Sequence, residues 1–398
     1  MENHQSYRPS VPPKVAGWAP LGLGFRPFFL LAALAAVLLM LLWVMIWRGR
    51  QAPPAYYDAV IWHGHEMLFG YTVAVIAGFL LTAVRNWTGI ETWTGPRLGG
   101  LALLWLLGRL LPWVPGVPVW LLIGVDIAFL PMLMISLAGP LWQGQNRVNR
   151  VFIPLLGLMG LANVLSHLQL NGMATGLGDA HRVMLDLILL LIVLVAGRVL
   201  PFFSRNVLPG FEPVSRPWLE KASILFIGLI AVAELLRLPL SAMAVLWLLF
   251  APLQLFRLVG WFERRVFDLP VLWVLHAGYA WLSLGSLLYG LSLLGMFTPS
   301  GALHALTLGV VGVFTLGMMS RVSRGHTGRP INVSRPTASA FVLMNLGALI
   351  RVFGPALLPE NYPLWVDASA GLWVLAFGLF AFGYVPILLR PRVDGKPG

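Results

Sequence analysis

The chain has 398 residues, of which 58% are hydrophobic and 11% are charged. Because soluble domains carry about 25% charged residues, this composition excludes an ordinary soluble protein and indicates one that faces lipid over most of its surface. The net charge of +12 does not indicate nucleic-acid binding, since basic residues accumulate in the cytoplasmic loops of membrane proteins. Cysteine is absent, which excludes disulfides and thiolate metal ligands.

Apolar segments recur along the chain and predict an all-α polytopic membrane protein. Residues 1–20 are polar and proline-rich, so we expect no signal peptide there. A bilayer crossing needs about 20 apolar residues, and only the third segment is clearly shorter than that. Twelve transmembrane helices are predicted, at about 26–47, 60–83, 98–111, 118–138, 150–170, 181–200, 218–236, 240–259, 270–294, 302–320, 338–358 and 364–389.

The basic residues orient these helices. With the N-terminus inside, 21 of the 27 Lys and Arg residues fall on the cytoplasmic side and six fall outside. Positively charged segments resist translocation, so this asymmetry predicts that both termini lie in the cytoplasm. It also supports the number of helices, because one missed or additional helix would destroy the alternation.

Landmark residues recur every four helices and predict a threefold internal repeat. We therefore expect one transmembrane domain over residues 1–398, with repeats at 20–140, 147–260 and 266–390. An alternative is that arginine and proline mark helix ends in general, which explains the histidines poorly. The landmarks are Pro27, Pro154 and Pro270 at helix starts, His65, His181 and His304 in the second helices, Arg109, Arg237 and Arg351 in the third, and Trp120, Trp247 and Trp373 in the fourth.

Five histidines fall at one predicted depth, near the outer helix ends: His63, His65, His167, His181 and His304. An imidazole in lipid is costly and faces a partner, and imidazole is the commonest protein ligand of haem iron and copper. We predict that at least two of His63, His65, His181 and His304 bind metal or haem. The alternative, a hydrogen-bonded packing residue, is favoured for His167, which has no counterpart in the repeat.

A further candidate ligand is His276, which lies alone at its depth toward the inner end of the ninth helix. It is well inside an apolar helix, where an imidazole needs a partner. Ligation and a structural role are equally good interpretations of this position.

The segment from Trp62 to Met67 carries two histidines in the order WHGHEM. Two residues on a helix correspond to about 200° of rotation, so His63 and His65 point to nearly opposite sides. They either serve two neighbouring centres, or one binds a metal while the other donates a hydrogen bond. Met67 follows His63 by four residues and offers a soft ligand to copper. Glu66 is a candidate for orienting a histidine or carrying protons.

The sixth predicted helix begins with His181 and contains two further charged candidates. Arg182 is a candidate for holding a haem propionate, although such an arginine more often faces lipid headgroups. Asp186 lies deeper and is costly unless paired, so it is a candidate for proton transfer or for supporting a ligand. Asp126 in the fourth predicted helix lies in similar lipid-like surroundings and raises the same expectation of a partner.

Four segments of the chain resemble the NnrS family: residues 24–29, the WHGHEMLFG stretch at 62–70, the AGRVLPFF stretch at 196–203, and residues 303–330, which end in RGHTGRP. The resemblance covers essentially the whole chain. It implies a twelve-helix protein of the bacterial inner membrane that contains haem and copper and is associated with nitric oxide and nitrosative stress. It carries no ligand assignment, so the residue roles above are predictions from this sequence.

The plan of twelve helices in three repeats also resembles the main subunit of haem-copper oxidases and nitric oxide reductases. In those proteins histidines on the second, sixth and tenth helices bind haems and copper, which would correspond to His65, His181 and His304 here. This chain departs from them because the paired histidines of the seventh helix are missing and its His-x-His lies on the second helix. A complete oxygen-reducing site and proton pumping are therefore not expected.

The histidine pattern together with the resemblance to the NnrS family implies an inner-membrane protein with haem, of the b type, and possible copper. Its expected partners are the lipid bilayer, nitric oxide and an unidentified electron donor, without nucleic acid. It would bind or turn over nitric oxide, and whether it is an oxidoreductase stays open. The alternatives are a transporter of haem, copper or a small anion, and an assembly factor for respiratory complexes in which the histidines only pack.

Overall fold

The computed structural model describes residues 17–396, and within this part the chain folds into twelve long helices joined by short turns. No signal peptide is predicted in the polar N-terminal segment, and residues 1–16 of that segment lie outside the described residues. The helices are α1 Phe25–Trp47, α2 Ala59–Thr88, α3 Gly95–Leu110, α4 Val119–Gln143, α5 Phe152–Leu170, α6 Ala180–Val207, α7 Pro217–Leu235, α8 Leu240–Trp261, α9 Pro270–Leu293, α10 Pro299–His326, α11 Arg335–Leu357 and α12 Tyr362–Leu389.

Ten of these helices are long and apolar enough to cross a membrane by length and composition. The two others are α3, which has 16 residues and spans about 24 Å at 1.5 Å per residue, and α7, which carries Glu220, Lys221 and Glu234. The prediction of twelve helices in a multi-pass membrane protein is confirmed. The main difference is at the helix ends. Helices α6 and α10 continue past their predicted last residues, 200 and 320, because their last turns, which contain arginine, remain helical.

The helices pack mainly against their neighbours in sequence, and α12 returns to pack against α1. Two helices are enclosed by the others: 89% of the apolar stretch of α2 and 83% of that of α10 are buried. Helices α6 and α9 are the next most buried. The interior of the bundle is therefore formed by the helices that carry most of the histidines.

Both enclosed helices contain a π-helical segment directly after a histidine. In α2 it runs over Glu66–Thr72, after His65, and in α10 over Ala305–Gly312, after His304. A π turn inserts one extra residue and rotates the following side chains, and such turns occur frequently at functional sites.

The π-helical segments in α2 and α10 agree with an internal repeat, but the tryptophan landmarks have different surroundings. Trp120 is 73% exposed, whereas Trp247 and Trp373 are buried. The threefold repeat, its boundaries and the likeness to haem-copper oxidases remain predictions.

Candidate metal centre

One end of the bundle collects the histidines, and we call it the histidine end: it contains His63, His65, His167, His181 and His304. The ring of His65 lies 5.5 Å from that of His167 and 6.2 Å from that of His181, measured between centroids. His63 lies within electrostatic reach of His304. Side chains that are up to 241 residues apart in sequence thus meet in two groups.

The first group is formed by His65, Asp126 and His167, which we call the His65–Asp126–His167 cluster. One ligand atom from each of the three lies within 4.8 Å of the other two. The Asp126 Oδ2 atom is 3.3 Å from His65 Nε2 and 3.0 Å from His167 Nε2. All three residues are buried. Two imidazoles and a carboxylate at these distances are a candidate metal site.

Asp126 is placed by the close packing of α3 and α4 and is neutralised by an arginine. A Cβ atom at Gly108 would lie 3.2 Å from Asp126 Oδ1, so the small residue lets the two helices approach. Arg109, the next residue, forms an ion pair with Asp126 Oδ1 and lies 3.3 Å from Glu66 Oε2. One buried guanidinium therefore stands between two buried carboxylates, which leaves the site with net negative charge when both are ionised.

Polar side chains around the cluster orient its rings. Asn163 donates from Nδ2 to Asp126 Oδ2 at 2.9 Å, and its Oδ1 lies 3.4 Å from His65 Nε2. The Tyr56 hydroxyl is 2.9 Å from His167 Nδ1 and accepts a hydrogen bond from Asn171 Nδ2 at 3.0 Å. Such partners hold the tautomer and the angle of a ligating imidazole.

The loop between α1 and α2 supplies two phenols to this shell. Burial raises the pKa of Tyr56, and it raises the pKa of Tyr57 well above its usual value, with the Asp126 charge contributing in both cases. Both hydroxyls are therefore protonated at neutral pH.

Two ring nitrogens beside the cluster are buried without a hydrogen-bond partner among the described residues. They are His65 Nδ1, which lies 4.0 Å from Glu66 Oε1, and His181 Nε2. A buried imidazole nitrogen without a partner is unusual, because the lost hydrogen bond is costly. His181 is therefore available as an additional ligand.

His63 faces the other way, as the two-residue spacing predicts. Its ring stacks on Trp43 with centroids 4.3 Å apart, and its buried Nδ1 has no hydrogen-bond partner in the described part of the chain. His304 donates from Nδ1 to the Ser300 carbonyl at 2.7 Å, which leaves its Nε2 as the acceptor nitrogen. We call these two residues the His63–His304 pair. Arg351 lies within electrostatic reach of both.

The family profile described as NnrS protein matches residues 19–392. The chain belongs to the NnrS family. A comparison with curated proteins finds no match. The NnrS match spans all twelve helices, so both histidine groups lie within the region that defines the family, and the resemblance inferred from the sequence is confirmed.

Four other predicted residues of this NnrS chain lie outside the two groups. Met67 is half-buried and packs against the hydrophobic core. His276 lies toward the opposite end, where its two nitrogens face the carbonyls of Leu272 and Trp261 at 2.9 and 3.3 Å, which favours a structural role. The other two are Arg182, which is exposed, and Asp186, which is buried within electrostatic reach of Arg182 and Glu234.

His167, Asn163 and Arg109 are site residues that the sequence did not predict, and Asp126 was predicted only to need a partner. His167 was given a packing role because it has no counterpart in the repeat. A signal was present, because Arg109 and Asp126 are opposite charges in predicted transmembrane helices near the same membrane face. Intramembrane charges of opposite sign at one depth pair with each other.

Proposed function

We propose that this NnrS-family protein is a membrane metalloprotein that binds or turns over nitric oxide at the histidine end and so protects the cell against nitrosative stress. The observation that carries the proposal is the buried His65–Asp126–His167 cluster. The connection to nitric oxide comes from the family resemblance. We further propose that the protein lies in the bacterial inner membrane, with the histidine end facing outward.

The donor set of the cluster fits copper or ferrous iron. Ligands about 2.1 Å from a metal ion lie roughly 3.0–3.4 Å from one another, which is the separation of Asp126 Oδ2 from the two Nε2 atoms, 3.3 and 3.0 Å. Two imidazoles and a carboxylate are the ligands of many non-haem iron sites, and imidazole also suits copper. His181 would add a third imidazole, and the adjacent excess of carboxylate charge favours a cation.

We propose the His63–His304 pair, and not the cluster, as the haem site. The cavity beside Asp126 has a volume of about 10 Å³, enough for an ion and too small for a porphyrin. His65 is also enclosed by the rings of Tyr57 and Phe69, whose centroids lie 5.2 and 4.9 Å away. The His63–His304 pair offers two imidazoles from different helices, one with a buried unpartnered nitrogen. A haem bound there would supply an iron with affinity for nitric oxide.

The remaining residues of the site control access and protons. Phe69, Val73, Phe129 and Leu130 form an apolar wall beside Asp126. We propose that a diatomic gas dissolved in lipid reaches the site along this wall. Glu66 lies 3.3 Å from Arg109 and 4.0 Å from His65, and both of its oxygens lack hydrogen bonds among the described residues. We propose that Glu66 carries protons to the site.

Purified protein tests the proposal. We would record absorption spectra of the oxidised and reduced protein with and without nitric oxide, and measure iron and copper by mass spectrometry. We expect reduced-haem bands that shift with nitric oxide, and a second metal that is not haem-bound. His63→Ala and His304→Ala should lose the haem bands, whereas His65→Ala and His167→Ala should lose the second metal.

The control is His276→Ala, which should retain both metals because its ring faces backbone carbonyls at the other end of the bundle. A colourless preparation without iron or copper would refute the proposal. It would leave the transporter and the assembly factor as the remaining functions.

A further inference from the structure

Arg351 differs in its charge balance from Arg109 and Arg257, two other buried arginines of the bundle. Its side chain is 6% exposed, and it donates from Nη2 to Ser300 Oγ at 2.9 Å and to the Tyr362 hydroxyl at 3.0 Å. Arg109 pairs with Asp126 and Glu66, and Arg257 pairs with Glu220. No carboxylate of residues 17–396 pairs with Arg351. Its partners are neutral hydroxyls.

The surroundings of Arg351 contain further polar atoms without partners. Its own Nη1 is buried with no hydrogen bond among the described residues, and so is Thr298 Oγ1 at the start of α10. A Cβ atom at Gly301 would lie 2.6 Å from Thr298 Oγ1 and 2.8 Å from the carbonyl of Val352, so Thr298 lies against the helix turn that carries Arg351. Hydrogen-bond donors and a positive charge thus meet at one place.

A buried guanidinium without a counter-charge is unfavourable, because the cation has lost its water and gained no anion in return. The groups within electrostatic reach of Arg351 are two imidazoles, His63 and His304, and the phenol of Tyr362, and none of them is a carboxylate. An anion bound beside Arg351 would balance its charge. The planar fork of arginine matches two oxygens on one carbon or nitrogen atom, which is the geometry of carboxylate and of nitrite.

We propose that Arg351 is the anchor of an oxyanion site between α10 and α11, beside the His63–His304 pair, for a carboxylate or a nitrite ion. Two sources share this chemistry. One is a carboxylate carried by a haem bound at the pair, and this source rests on the proposed function. The other is free nitrite, the oxidised form of nitric oxide, and this source does not depend on bound metal.

Arg351→Gln and Arg351→Lys test the site, with Arg48→Gln as the control, since Arg48 is an arginine of the same end that is 42% exposed and paired with Asp367. For each protein as purified in detergent we would measure haem content and the melting temperature in sodium nitrite, against sodium chloride of equal ionic strength. A ligand that binds only the folded state raises Tm with concentration.

Loss of haem from Arg351→Gln, with haem retained in Arg48→Gln, would identify the carboxylate of a cofactor. A Tm rise of about 2 °C or more with nitrite in the wild type and in Arg48→Gln, absent in Arg351→Gln, would identify free nitrite. Arg351→Lys keeps the positive charge but loses the planar guanidinium, so its haem content or its nitrite-dependent rise in Tm should be reduced. This variant replaces Arg351→Gln in the test if the glutamine variant does not fold.

If the Arg351 variants keep both the haem content and the nitrite response of the wild type, the proposal that Arg351 anchors an oxyanion site is wrong. The proposed function would then stand if metals are present. Conversely, a protein without iron or copper whose Tm still rises with nitrite through Arg351 would support the site while refuting the metalloprotein.

Discussion

The carboxylate of Asp126 is contacted by side chains from three helices: Arg109 from α3, His65 from α2, and Asn163 and His167 from α5. Removing one partner of a buried ion pair leaves the other charge unpaired, which costs more than the pair contributes. At the scale of single residues, Asp126 is therefore the group that stabilises Arg109, and it is also the carboxylate of the proposed metal site. The pair of Arg48 and Asp367 is partly exposed, with side-chain exposures of 42% and 33%, and contributes little.

Asp126→Asn keeps the shape of the side chain and removes its charge. We expect a loss of about 3 kcal/mol of stability, because Arg109 is left with Glu66 alone, together with loss of the non-haem metal. Thermal unfolding in detergent and metal analysis would measure both effects. Asp367→Asn should change stability by less than about 1 kcal/mol and leave the metal in place. Equal behaviour of the two variants would contradict this account of Asp126.

At the scale of elements, the π segment of α2 positions the ion pair under the histidines. Gly70 lies in this segment, and its carbonyl accepts a hydrogen bond from Trp105 Nε1 at 3.0 Å. A Cβ atom at Gly70 would lie 2.8 Å from Arg109 Nη1 and 2.9 Å from Glu66 Oε2. The absence of a side chain here is what allows α3 to place Arg109 beside the enclosed helix.

Gly70→Ala should therefore displace Arg109 and Glu66, destabilise the protein by about 1–3 kcal/mol and weaken metal retention. Gly124→Ala is the matched control, because that glycine lies in α4 with no atom within 4 Å of the added Cβ. Alanine is the better helix former, so the control should be neutral or slightly stabilising. Melting temperatures and metal content of the two variants would be compared. A Gly70→Ala protein as stable as Gly124→Ala would show that the close approach has no energetic consequence.

At the scale of the whole molecule, the alternation of twelve helices places the histidine end opposite the ends that carry most of the arginines. In the predicted orientation the loop from α5 to α6 lies outside the cell membrane and the loop from α6 to α7 lies in the cytoplasm. Ala174 and Ser215 are exposed residues of these two loops. Since the chain contains no cysteine, single cysteine variants can report on the two sides without background.

Ala174→Cys should react with a membrane-impermeant maleimide in intact spheroplasts, and Ser215→Cys only after the membrane is permeabilised. The expected difference is close to complete, because the positive-inside distribution opposes the inverted topology. Gel shifts of the labelled protein would measure it. The reverse pattern would place the histidine end in the cytoplasm and require the proposed access route to be reversed.

The sequence by itself determined the number of helices, their approximate bounds and the family, because the cost of placing polar groups in lipid depends on local composition. It also determined that His63 and His65 diverge, since helix geometry alone sets that angle. Only the tertiary structure decided that His65 meets Asp126 and His167, and that no carboxylate of the described residues pairs with Arg351. Those facts depend on which helices are neighbours, which results from many weak packing contacts between distant segments. The π turn after His65, a local change in winding that no composition signals, decides where Glu66 and Gly70 lie.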